Sequence, residues 1–260
     1  MRRIFPNLHT TFRSGCRSAT QFALTVMILF FTLSTTAETT NTLSDAEIQG
    51  RQLAQKICEQ QPITNSVVLG ILNIRNANGY RTNYSVEFSV VIQTTNWTSK
   101  YTSDSVKPAT ENLLVVHARD CANVYSHFWS SVVSRSILPN DEFSPFAKSD
   151  FWLCDLGLEF FHWPQQKVLK KEVHRSCGCT VLESTNPNPS TNGYSRVVSW
   201  IDTESLGIVE AYAYDAKGKL LKDFYPKDIK KVNGRWQVQT LVMENVQTDS
   251  RSRLEFDLKK

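Results

Sequence analysis

The chain has 260 residues, with 29 Lys and Arg against 25 Asp and Glu, a formal net charge of +4. Arg2, Arg3, Arg13 and Arg17 are the only charged residues before Glu38, so a chain cleaved after Ala37 carries 25 basic and 25 acidic residues and is neutral. That balance leaves nothing to support nucleic-acid binding, which needs a basic face, and the remaining length suits one domain with a sizeable core.

The first residues read as an address. An Arg-rich, acid-free start leads into an apolar run, Phe22 to Leu33. Its dozen or so residues suit the apolar region of a signal peptide and fall short of the ~20 needed to span a bilayer. Thr35-Thr36-Ala37 offers small residues for cleavage, and no cysteine directly follows the run to take a lipid. We expect a signal peptide over residues 1–37 and one domain over residues 38–260, exported to the periplasm as a soluble monomer. Cys16 leaves with the signal, and Cys58, Cys121, Cys154, Cys177 and Cys179 remain. An odd number in an oxidising compartment implies up to two disulfides and one free thiol. Cys177-Gly178-Cys179 lacks a second Cys/His pair at zinc spacing, so neither metal nor cofactor is expected.

Ser44-Asp45-Ala46-Glu47 is a capping box, and Leu43 with Ile48 forms a hydrophobic staple. With Leu53 and Ile57 on one stripe, they predict a helix from Asp45 to about Gln60 whose role is packing. Strands begin at Asn65. Ser66 to Arg75 is β-rich, Asn76-Ala77-Asn78-Gly79 is a hairpin turn, and the next strand alternates. Tyr84, Val86, Phe88, Val90 and Ile92 share one face, with Ser85, Glu87 and Ser89 on the other. Trp97 to Tyr101 and Asn112 to Ala118 are further short strands. Residues 119–148 read as a long, partly ordered connection.

Ser149 to Pro164 is the most apolar element. At helical period, Asp155, Glu159 and His162 form one narrow stripe on an otherwise greasy helix containing Trp152, Leu156, Phe160, Phe161 and Trp163. Ser149 or Asp150 would cap it, Pro164 would stop it, and the charged stripe would face solvent. Val168 to Glu183 then reads as one strand interrupted near Cys177. A meander follows: Tyr194 to Asp202, Gly207 to Tyr214, Lys219 to Ile229, Arg235 to Val246 and Arg251 to Leu258. Tight turns force antiparallel pairing. The expected fold is mainly β, nine to eleven strands curled into an unclosed antiparallel β-barrel, a half-barrel with a helical lid. A lid docked on the strand after it would tie Cys154 to Cys177 or Cys179 by a disulfide.

Several segments resemble one family. Ser149-Asp150-Phe151 through Asp155-Leu156 with Phe160 and Phe161, then Tyr194-Ser195-Arg196-Val197-Val198-Ser199-Trp200-Ile201-Asp202, are similar to the bacterial outer-membrane lipoprotein-sorting proteins, the LolA/LolB-like group. So are Tyr214-Asp215-Ala216-Lys217-Gly218-Lys219-Leu220-Leu221-Lys222, Val232-Asn233-Gly234-Arg235-Trp236 and Glu244-Asn245-Val246-Gln247-Thr248. The resemblance implies an apolar cavity under a helical lid that binds lipoprotein or lipid acyl chains and carries them across the periplasm, with partner proteins at the inner or outer membrane. The cysteines and the 119–148 segment depart from the family pattern. An acyl chain gains ~0.8 kcal/mol per buried methylene, so a dry concave wall suffices to hold it. Candidate wall residues are Tyr84, Val86, Phe88, Val90, Ile92, Trp200, Trp236, Val238, Leu254 and Phe256; candidate lid residues are Trp152, Leu156, Phe160 and Phe161.

No catalytic residues are expected. Glu159 and His162 match one half of a helical di-iron motif whose other half is missing, and no nucleophile elbow, phosphate loop or dinucleotide fingerprint is present. Two other readings fit the same fold: a lipid-sensing regulatory domain resembling the anti-sigma regulators of the RseB type, and a structural envelope domain with a filled core.

Overall fold

The computed structural model describes residues 43–118, 121–130, 135–136, 141–232 and 234–258. The expected signal peptide lies outside them. Helix α1 (Asp45–Cys58) opens the described chain, followed by strands β1 (Ser66–Arg75), β2 (Arg81–Ile92), β3 (Asn96–Val106), β4 (Ala109–Ala118), β5 (Val124–Trp129) and the two-residue β6 (Arg135–Ser136). A lid segment comes next, with a 3-10 turn at Asp141–Phe143, helix α2 (Leu153–Gly157) and a second 3-10 turn at Glu159–His162. Strands β7 (Gln165–His174), β8 (Cys177–Thr185), β9 (Tyr194–Asp202), β10 (Ile208–Asp215), β11 (Leu220–Val232), β12 (Arg235–Asn245) and β13 (Ser250–Phe256) complete it.

All 13 strands form one antiparallel sheet, in the order β6-β5-β4-β3-β2-β1-β13-β12-β11-β10-β9-β8-β7. Every neighbour is also a neighbour in sequence except β1 and β13, whose pairing joins the two halves of the chain. Among the described residues β6 and β7 do not pair, so the sheet is not closed into a barrel. The strand count exceeds the nine to eleven expected because residues 119–148, read as a connection, contribute β5 and β6, and Val168 to Glu183 is not one strand. It is a hairpin, β7–β8, in which His174 pairs with Cys177 across Arg175-Ser176. Both turn residues have positive φ, 47° and 66°. This is the primed geometry that matches strand twist, achieved here without Gly or Asn.

Elsewhere local sequence and register agree. Leu72 pairs with Tyr84, Gly70 with Val86 and Val68 with Phe88, which sends the apolar side of β2 to one face. Gly79 takes φ +80°, and the Asn76 side chain accepts from the Asn78 and Tyr80 N–H groups to close the turn. The capping box at α1 forms as expected, with Ser44 and Glu47 bonded reciprocally. Gly50 lets α1 lie against edge strand β7, because a Cβ there would stand 2.5 Å from the Lys167 nitrogen. A helix laid along an edge strand shields its unpaired backbone.

The lid segment fills the inside of the curved sheet and divides the core in two. Phe146, Ala147, Phe151, Leu153 and Leu156 pack on Leu72, Val86, Tyr101, Leu113, Val115, Tyr125, Met243 and Leu254. Phe143, Cys154, Phe160 and Phe161 pack on Ala54, Leu182, Tyr194, Val197, Ile201, Ala211 and Ala213. Each fully buried Val, Leu, Ile, Met or Phe among them contributes ~1.5–3 kcal/mol by leaving water.

Candidate functional site

The expected helix over Ser149–Pro164 is broken, and the break shapes the site. Ser149 and Asp150 do not cap it. Ser149 bonds the Phe146 carbonyl and the Phe151 N–H, while the Asp150 carboxylate accepts from the Ser250 and Ser252 hydroxyls of β13. The cap falls at Trp152, whose N–H donates to Asp155 Oδ2 at 2.8 Å. Leu158 then adopts the left-handed region, φ 52°, and ends α2 after five residues. The polar stripe is therefore not a solvated face. Asp155 is buried, accepts from the Tyr194 hydroxyl at 2.9 Å and pairs with the Lys222 ammonium at 3.2 Å. Lys222 is only 1% exposed and lies 3.4 Å from the Trp152 ring centroid, a cation held against an indole face. Burial pushes the Lys222 pKa down, while the neighbouring carboxylate opposes that shift.

The lid is tied to the first half of the sheet too. Glu111 of β4 is buried and bonds the Ala147 N–H, His127 and the Ser105 hydroxyl. Tyr125 of β5 donates to Glu159 Oε2 at 3.0 Å, and Asn123 donates to the Gly157 carbonyl at 2.8 Å. Burial raises the Glu159 carboxyl to about 7.

Between lid and sheet lies a cavity of about 350 Å³, within the size range of small-ligand sites. Its roof is Asp155, Leu156, Gly157, Leu158, Phe161 and His162; its wall is Phe88, Trp97, Ser99, Tyr101, His117, Ala118, Phe224, Pro226, Val238 and Leu241. Ile57, Cys58 and Gln60 at the end of α1 and Leu206, Gly207 and Ile208 after β9 complete it. Helix α1, expected only to pack, thus also borders the cavity. The Asp155 carboxylate in the lining is paired with the Lys222 ammonium, while other polar groups of the lining are held neutral by burial. Burial lowers His117 to about 4, as it accepts or donates to Ser99 at 2.9 Å and stacks on Trp97 at 3.6 Å. Burial likewise lowers His162 and raises the Cys58 thiol to about 12. A mostly apolar space with one paired carboxylate in its lining is suited to a hydrocarbon.

Of the residues singled out from sequence, Phe88, Val238, Leu156 and Phe161 line this cavity. Val86 and Leu254 face the same way but sit inside the first core, and Phe256 packs behind Phe88 with centroids 5.6 Å apart. Tyr84, Val90 and Ile92 lie on the same face of β2 as Phe88, outside the cavity lining. Phe160 and Trp152 turn into the second core, where Trp152 stacks on Tyr194 at 4.6 Å. Trp200 is on the opposite face of the sheet, stacked on His174 and donating to Glu172 at 2.7 Å. Val197, Ser199 and Ile201 occupy the inner positions of β9, so alternation sends Trp200 outward. Trp236 is 71% exposed at the end of the β11–β12 hairpin. The expected disulfide is not formed: Cys154 is buried in the second core, and Cys58, Cys121, Cys154, Cys177 and Cys179 are all free thiols. Cys154 lies on the inner side of the sheet, whereas Cys179 alternates with the inward Thr180 and Leu182 and shares the outer face with Glu172. Trp97, Ser99, Tyr101 and His117 were missed, although strict alternation along β3 and β4 places them together.

A family model described as an uncharacterized protein matches residues 112–259, more than half of the chain. No curated protein matches significantly. Solved structures with a similar fold include a protein domain from Vibrio parahaemolyticus named for outer membrane lipoprotein sorting, at 20% identity and TM-score 0.69, covering 82% of this chain and 92% of that one. A DUF1329 family protein from Desulfovibrio piger aligns at 19% identity and TM-score 0.68, with the same 82% and 92% coverage. A LolA superfamily protein from Nitrosomonas europaea aligns at 16% identity and TM-score 0.56, over 83% and 93% of the two chains.

Proposed function

We propose, for a chain that belongs to the uncharacterized family matched over residues 112–259 and has the fold of the LolA-like lipoprotein-sorting proteins, that it is an exported carrier of acyl chains. It takes the hydrocarbon of a lipid or lipoprotein beneath the lid and shields it in transit through the envelope. The observation that carries this reading is the cavity of about 350 Å³ between Leu156–His162 and the inner face of the sheet. At ~30 Å³ for a water-sized group, the space accepts roughly a dozen methylenes. At ~0.8 kcal/mol per methylene removed from water, that burial would supply a substantial part of the binding energy. Non-enzymatic binding, rather than turnover, is consistent with His117 and Cys58 being held uncharged. The N-terminal sequence supports export, since its apolar run suits a cleaved signal.

Native mass spectrometry of protein purified from the envelope tests the proposal. Co-purifying species with acyl-chain masses, released by solvent extraction, are expected. Ligand-free protein that also fails to take up a fluorescent fatty acid would favour a structural domain instead.

A further inference from the structure

The end of the β11–β12 hairpin combines exposed apolar side chains with basic ones. Ile229 pairs with Val238 and Lys231 with Trp236, so the four side chains share one face. Three of them are apolar and exposed, Ile229 by 55%, Val238 by 38% and Trp236 by 71%. Val238 also lines the cavity together with Pro226 and Leu241, so apolar surface runs without a break from the cavity wall to the hairpin tip. Positive charge collects at the same place. Between Pro226 and Trp236 the sequence carries Lys227, Lys230, Lys231 and Arg235 against Asp228 alone, in a domain whose charges balance only when this hairpin is included. Lys227 and Lys231 are exposed, and the Lys231 ammonium lies 5.8 Å from the Trp236 ring centroid. Lys230 reaches across to the Leu258 carbonyl, which fixes the hairpin against the end of the chain.

We propose that this hairpin face docks the protein on the surface of an anionic lipid bilayer. Indole rings favour the level of the headgroups, short aliphatic side chains enter just below it, and each nearby lysine is attracted by anionic lipid. Exposed Trp beside Lys on a two-stranded tip meets all three demands. Such a tip offers no concave surface for a peptide. Docked this way, the tip would lay its apolar strip along the acyl layer, with the cavity at the other end of the strip. That gives the proposed carrier a path for its cargo, but the docking stands on the hairpin itself and is measured without any cargo.

Vesicle flotation tests it on the full domain. Wild-type protein is expected to float with vesicles of phosphatidylcholine containing ~30 mol% phosphatidylglycerol, and to be released by salt near 0.5 M, where charges are screened within about 5 Å. Trp236→Ala and the pair Lys227→Glu with Lys231→Glu should each reduce the bound fraction about fivefold or more. None of these residues lines the cavity, so the variants should keep wild-type thermal stability and wild-type uptake of a fluorescent fatty acid. Unchanged stability with reduced flotation supports the docking face whatever the cavity holds. Wild type that fails to float at low salt, equal flotation with pure phosphatidylcholine, or a Trp236→Ala variant that floats like wild type would each overturn it. Binding to native envelope vesicles but not to protein-free ones would also overturn it, in favour of a protein receptor.

Discussion

Lys222 is the side chain on which the lid's position depends most directly. Its ammonium, almost without contact with water, meets Asp155 at 3.2 Å and the faces of Trp152 and Tyr194. Replacing a whole buried ion pair by neutral groups is often nearly neutral, whereas removing one partner strands a charge and costs about 3–5 kcal/mol. Lys222→Met should therefore destabilise strongly by urea denaturation, and adding Asp155→Asn should recover part of the loss. Losses that simply add would show that the two charges do not act on each other. Glu159 makes a second, pH-dependent contribution. Its carboxyl titrates near 4.5 when unfolded and near 7 when folded, raised first by burial, with the Tyr125 and Asn123 hydrogen bonds opposing and Glu142 adding to the shift. The folded state thus holds its proton longer, so stability is full below about pH 4.5, declines as pH rises towards 7, and levels off above. Asp223 is raised to about 7 as well, chiefly by burial and by Glu210, and adds a decline of the same sign. Glu159→Gln should flatten part of the decline and Asp223→Asn a further part, read as unfolding midpoints from pH 4 to 8. His117 and His162, whose folded pKa values are lowered, contribute the opposite trend, so the comparison with wild type decides: a variant whose pH profile runs parallel to wild type would contradict the assignment of that residue.

Adjacent lid residues do different work because Leu158 reverses the chain. Phe160 and Phe161 both pack into the second core, but Phe161 also lines the cavity while Phe160 lies against the Trp163 ring. Phe160→Ala should cost about 3–5 kcal/mol of stability, as truncation of a buried Phe does. Phe161→Ser should also destabilise, being equally buried, but should in addition weaken uptake of a fluorescent fatty acid about tenfold, roughly the loss of two buried methylenes, where Phe160→Ala leaves uptake unchanged. Equal effects of the two changes on both measurements would mean that the lid has no separate ligand side. The split could not be read from sequence. Apolar residues throughout Phe151–Trp163 fit a helix at every position, and nothing in Gly157-Leu158 marks the left-handed residue that ends it. Asp155 read as a surface charge because its partner stands 67 residues later, on a strand whose inner lysine has no local signal. The β7–β8 turn was hidden for a similar reason, Arg175-Ser176 being unusual in the conformation they adopt. What was legible followed from period and turn chemistry: the α1 capping box, the inner face of β2, and the Asn78-Gly79 turn before it. Trp200 was misplaced because β9 is apolar on both faces, so alternation alone did not orient it.

At the scale of the whole molecule, the open sheet is stabilised by two separate cores, and the cavity lies where they meet. Phe224 shows this, packing against both clusters while lining the cavity. Side chains around an unfilled apolar space lack contact partners on one side, so the fold forgoes dispersion energy that an occupant restores. A ligand that binds only the folded state then adds RT ln(1 + [L]/Kd), about 2.7 kcal/mol at a hundredfold excess over Kd. For a domain of this size each kcal/mol moves the midpoint by ~2–4 °C, so an acyl ligand at that excess should raise Tm by about 5–11 °C. Val238→Trp supplies the control, since it adds bulk to the cavity wall at a half-exposed position where the fold tolerates it. That variant should fold with a Tm close to wild type and lose most of the ligand-dependent rise. Differential scanning calorimetry with a series of saturated acyl esters would show the rise growing with chain length until the cavity is filled, near a dozen carbons by volume. A Tm indifferent to every chain length, in wild type and variant alike, would mean that the space between lid and sheet takes no hydrocarbon.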